Sequence, residues 1–171
     1  MGNPLSPVIS CLFLEYLESE KLPLFKGIKF WKRYVDDVLC LVPPNFDLDS
    51  FLSFINSLYP TIKFTFEWEN DNMIPFLDVL IHRSTSFLKF SVYRKPTNGE
   101  NYLHFFAFTD VQIKVGLAQS LFLRAFRVCD KTFFDNEIKH LRDTFEKLAY
   151  PKWLLDKAFF RAKKELFSLF E

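Results

Sequence analysis

The chain has 171 residues, 49% of them hydrophobic and 19% aromatic, with 23 Phe, which is enough for one compact domain with an appendage and excludes a disordered or low-complexity chain. A formal net charge of +1 excludes a bulk basic field as the basis of nucleic-acid binding and leaves only local patches. From Asp110 onward there are 12 Lys or Arg against 9 Asp or Glu, and before it 10 against 12, so the last third is mildly basic.

In chain order, Ser6 followed by Pro7 is a helix opening in which the Ser oxygen caps orphan N–H groups, and a helix is expected from Pro7 to about Glu20. Two runs rich in aromatic and β-branched residues, 28–35 and 38–42, are separated by Asp36 and Asp37 and predict a tight β-hairpin. Pro43 and Pro44 end it, and Asp47 or Asp49 caps a short helix through Leu58. Alternation of Ile62, Phe64 and Phe66 with Lys63, Thr65 and Glu67 predicts a strand. Two further strands, about 76–82 and 87–94, flank a polar turn at 83–86. After Asp110 the period becomes helical, with helices expected over about 112–129, 134–148 and 151–170.

The three cysteines, Cys11, Cys40 and Cys129, are widely spaced in apolar runs and are expected as buried, reduced thiols of an intracellular chain, nuclear or cytoplasmic. No stretch approaches the roughly 18 uncharged apolar residues that cross a bilayer, so no membrane partner is expected. His82, His104 and His140 show no metal-ligand spacing. Met1 runs straight into Gly2, Asn3 and Pro4, as expected of a piece cut from a longer reading frame.

The chemistry centres on Tyr34-Val35-Asp36-Asp37 at a hairpin tip. Nucleotidyl transfer requires carboxylates that hold two divalent metals, one activating the attacking hydroxyl and one stabilising the leaving oxygens. Two Asp at a rigid turn suit that task, and on these four residues alone an ordinary Asp-Asp turn fits equally well.

Wider context carries a resemblance. Met1-Gly2-Asn3-Pro4-Leu5-Ser6-Pro7, then a helix, then Tyr34-Val35-Asp36-Asp37 resembles two successive reverse-transcriptase motifs. Ile74-Pro75-Phe76-Leu77-Asp78-Val79, Val92-Tyr93-Arg94-Lys95-Pro96-Thr97 and Arg124-Ala125 before Cys129 resemble the run that Penelope-like retroelements carry between palm and thumb. The resemblance implies an α+β fold: a partial palm over 1–95, with an antiparallel sheet and helices, and a helical, helix-turn-helix-like thumb over 96–171. It implies an RNA-directed DNA polymerase acting on an RNA template, a DNA primer and deoxynucleoside triphosphates with two magnesium ions. Gly2, Pro4 and Ser6 would shape the nucleotide and template side, Asp36 would be the principal catalytic metal ligand with Asp37 beside it, and Tyr34 would lie against the primer end. Phe76, Leu77 and Asp78 would form the primer grip; Arg94, Lys95, Lys114, Arg124, Arg127 and Lys131 would meet phosphates. For each cation the plain alternative is the wet face of an amphipathic element.

The same resemblance calls for another metal-binding Asp upstream of the Met1 motif, and for fingers, so these residues alone are expected to be inactive. Nothing after Pro151 resembles an endonuclease. Two alternatives stand beside the polymerase: a non-catalytic nucleic-acid-binding module built on the basic helices, and an inert genomic relic.

Overall fold

Helix α1 spans Ser6–Lys21, with Pro7 in its first turn, where a missing N–H is not needed. Leu5 occupies the N-cap position in helical conformation and makes no side-chain cap. The cap expected of Ser6 is therefore not formed: the residue already lies within the helix, and its carbonyl accepts a hydrogen bond from Ser10 Oγ at 2.8 Å. The computed structural model describes residues 4–168, so Gly2 lies outside the described residues. These divide into two compact units between Glu67 and Trp68. Together they make an α+β protein with two small antiparallel sheets and five α-helices among the described residues.

In the first unit a 3₁₀ turn at Leu22–Leu24 follows α1. Strands β1 (Phe30–Tyr34) and β2 (Asp37–Leu41) then pair antiparallel. Helix α2, Leu48–Leu58, is capped by the Asp47 carboxylate, which accepts from Ser50 N at 3.0 Å. Phe51 of α2 is buried under the rings of Phe25, Trp31 and Phe46, with centroids 5.0 to 6.1 Å apart. Gly27, at φ 110°, passes so close to the Phe46 ring that a Cβ would stand 3.3 Å from it.

The strand expected at 62–67 is absent. Asn56 of α2 takes both ladder groups of Phe64: its Nδ2 donates to Phe64 O at 3.1 Å, and its Oδ1 accepts from Phe64 N at 2.7 Å. The alternation survives as half-buried Ile62 and Phe64 between exposed Lys63 and Thr65. Cys11 is exposed on α1, contrary to expectation, because the apolar face holding Val8, Ile9, Leu12 and Tyr16 is exposed too. Cys40 and Cys129 are half-buried, and burial pushes both thiols up.

In the second unit β3 (Met73–Phe76), β4 (Val79–Arg83) and β5 (Leu88–Val92) form an antiparallel sheet in that order. The single strand expected over 76–82 is broken, because Phe76 pairs with Val79 and the chain reverses through Leu77 and Asp78, with Leu77 at φ 54°. Helices α3 (Val111–Val128), α4 (Lys131–Lys147) and α5 (Lys152–Phe167) follow. The small residues Ala118, Ala125, Ala158 and Ala162 are fully buried where α3 meets α5, around Phe122, Leu141, Phe145, Leu154 and Leu155. The sheet belongs with these helices. Phe90 N on β5 donates to the Asp130 carboxylate at 2.5 Å, and Asp130 N donates to Phe90 O at 2.9 Å, so the α3–α4 turn sits against the strand's edge. Hence the observed boundary lies at 67 rather than at the expected 95.

Candidate metal-binding hairpin and nucleic-acid interface

Tyr34 pairs with Asp37, so the two-residue loop is Val35-Asp36, one residue earlier than the Asp36-Asp37 loop the sequence suggests. Val35 carries φ 56°, placing the positive angle at the first central position as in a II′ turn. For a β-branched side chain this is an outlier of the kind that clusters at functional sites. Asp36 sits in the loop and Asp37 opens β2; both are exposed, and neither carboxylate has a partner among the described residues. Tyr34 is 61% exposed beside them.

A network on α1 and β1 holds this tip. Glu18 accepts from Trp31 Nε1 at 2.9 Å and from Arg33 Nε at 2.6 Å, and Arg33 Nη1 donates to the Val35 carbonyl at 3.2 Å. The Glu18 hydrogen bond holds the guanidinium more basic than usual against the opposing effect of burial. Neither Glu18 nor Arg33 was singled out from the sequence, since the signal is a pairing across 15 positions. Pro4 and Ser6 are exposed at the start of α1.

In the second unit, Phe76, Leu77 and Asp78 form a hairpin tip of the same make: aromatic, aliphatic at positive φ, then Asp. Tyr93 N donates to Asp78 O at 2.8 Å, and the Asp78 carboxylate lies 4.0 Å from Arg124 Nη1. Arg124 Nε and Nη2 are buried without a hydrogen-bond acceptor among the described residues, so the expected primer-grip turn and one expected phosphate contact do come together.

Other expected phosphate contacts are committed elsewhere. Arg94 forms two hydrogen bonds to Glu137, at 2.8 and 2.6 Å, and its Nε lies 2.6 Å from Glu100. Burial works against its charge, but these carboxylates outweigh it and raise the guanidinium above its ordinary value. Lys114 is buried, and its ammonium donates to the carbonyls of Ala107 and Thr109 at 2.9 and 2.8 Å beneath the Phe105 ring. Both side chains hold the loop before α3. Lys95, Arg127 and Lys131 are exposed; Arg127 lies 3.8 Å from Glu165, and Lys131 rims a shallow cleft with Phe126, Cys129 and Phe134.

The outer face of α5 carries Trp153, Lys157, Phe160, Lys164 and Phe167, all exposed. None of the five was singled out from the sequence, although their spacing of four, three, four and three was readable.

Residues 101–160 match the family model of the animal helix-turn-helix domain. That stretch is about a third of the chain and runs from the loop before α3 into α5. The helix-turn-helix match therefore includes the α3–α4 turn at Cys129 and Asp130. No curated protein and no solved structure matches the chain. Among the described residues, no helix is long and apolar enough to cross a membrane.

Proposed function

We propose that this chain carries the acid-bearing palm hairpin and the nucleic-acid-contacting thumb of an RNA-directed DNA polymerase of the Penelope-like retroelement kind. The observation that carries the reading is the strained Val35-Asp36 turn, which leaves two carboxylates exposed beside Tyr34, neither with a partner among the described residues. Hard carboxylate oxygens of this kind suit magnesium, which completes its shell with water and substrate phosphates. Bound there, the metal would supply charge stabilisation for in-line nucleotidyl transfer. Asp36 and Asp37 would be its ligands from this chain, Glu18 and Arg33 would hold the turn, and the exposed Lys95 and Lys131 would offer donors to a phosphate. Among the described residues, no group of three acidic, His or Cys side chains gathers to hold a metal ion. The role we propose for these residues is metal binding.

The test is paramagnetic. Manganese titrated into the labelled chain should broaden the amide resonances of residues 34–38 first, and Asp36→Asn should abolish this; broadening spread evenly over all acidic residues would remove the metal role. The chain alone should extend no primer, and Asp36-dependent DNA synthesis would overturn the restriction to binding.

The helix-turn-helix match favours a second reading, a nucleic-acid-binding module without catalysis. It predicts salt-sensitive binding to primer–template duplex that survives Asp36→Ala and weakens with Arg124→Ala and Lys131→Ala.

A further inference from the structure

Trp153, Lys157, Phe160, Lys164 and Phe167 leave α5 within an arc of about 80° and so form one line about 21 Å long. The rings are 57%, 65% and 58% exposed. They are not core residues out of register, because Leu154, Leu155, Ala158 and Ala162 already fill the buried face. Lys152, Arg161 and Lys163 flank the line. Among the described residues none of these five cations is ion-paired, while both acids of the helix are engaged: Asp156 by Arg142 at 2.8 Å, Glu165 by Gln119 at 2.9 Å with Arg127 at 3.8 Å. The face is locally cationic although the whole chain is nearly neutral.

Ring and cation alternate along the line itself. A protein partner's apolar core would have to bury Lys157 and Lys164 without counter-charges, which is costly. A lipid surface is met by helices whose cations lie on the polar face, away from the rings. Duplex bases are already stacked and offer these rings no open face. An unpaired strand presents both π-faces and phosphates, the two groups this line is equipped to meet.

We propose that the outer face of α5 binds single-stranded nucleic acid, with bases stacked on Trp153, Phe160 and Phe167 and phosphates held by Lys157, Lys164 and Arg161. This rests on the nucleic-acid reading of the helical unit and adds an unpaired segment to the duplex that reading requires. The experiment uses the full chain with a fluorescent 20-residue oligouridylate, a duplex of equal length, and anionic phospholipid vesicles. Oligouridylate should quench Trp153 fluorescence. Phe160→Ala and Phe167→Ala should each weaken its binding at least about fivefold while leaving duplex affinity within about twofold. The triple change Lys157→Ala, Arg161→Ala, Lys164→Ala should lower the salt slope by about 2. Binding that ignores the ring variants, or vesicle binding that exceeds oligonucleotide binding, would overturn the assignment while leaving duplex binding elsewhere intact. A chain that binds neither nucleic acid would remove the assignment and the reading beneath it.

Discussion

The first unit buries Leu17, Phe51 and Ile55, while Val8, Ile9, Leu12 and Tyr16 stand exposed along α1. The second joins α3, α4 and α5 in one continuous buried cluster from Val115 to Ala162. Both are rich in apolar residues, so the contrast lies in geometry. In the second, Ala at close-approach positions lets long helices interlock around Phe122 and Phe145; in the first, one short helix and a two-stranded hairpin offer too few faces to cover α1. Apolar content becomes stability only where a second element closes over it, and an uncovered stripe acts instead as an association surface.

The sharpest way to break this contrast is Phe122→Ala. It should cost about 3 to 5 kcal/mol in urea unfolding of the second unit, and a loss under about 1 kcal/mol would mean that the cluster is not closed. Next comes Glu100, whose carboxyl is opposed by burial yet held below the usual range by the His140 hydrogen bond and Arg94. Its folded value lies below the unfolded one, so its contribution is complete above the unfolded value and fades as pH falls through the folded one. Glu100→Gln should therefore cost about 1 kcal/mol at neutral pH, and the gap to the parent should close below about pH 4; a gap unchanged in acid would rule the network out. Val35→Gly should act in the opposite direction. Relief of the left-handed strain, about 1 to 2 kcal/mol, exceeds the entropy cost of glycine, leaving a gain of up to about 1 kcal/mol in hairpin stability and looser carboxylates. Smallest in stability is Leu12→Lys, within about 0.5 kcal/mol by thermal melt. It should nonetheless reduce concentration-dependent aggregation; unchanged aggregation would show that α1 is not the sticky face.

Long-period features were legible in the sequence. The three C-terminal helices begin and end within about three residues of their expected limits, and the Asp-bearing hairpin is present because apolar runs and caps are local signals. Non-local chemistry was not legible. The loop at Val35 shifts by one residue because a β-branched side chain occupies a conformation that propensity argues against. The strand at 62–67 yields to one amide on α2. Arg94 looked like a phosphate contact because Glu137, its partner, lies 43 positions away. The loop-holding bonds of Lys114 were illegible for a related reason, since its acceptors are backbone carbonyls that no side-chain pattern announces.

The Asp130 clasp on Phe90 bears on strand recruitment from other chains. At that point it seals the outer rim of β5, while Pro75 removes a donor from β3 at the opposite rim. The three-stranded sheet is thereby discouraged from growing in either direction. The β1–β2 ribbon has no such guard among the described residues, and a visiting strand would zip onto the rim that runs beside Asp36 and Asp37.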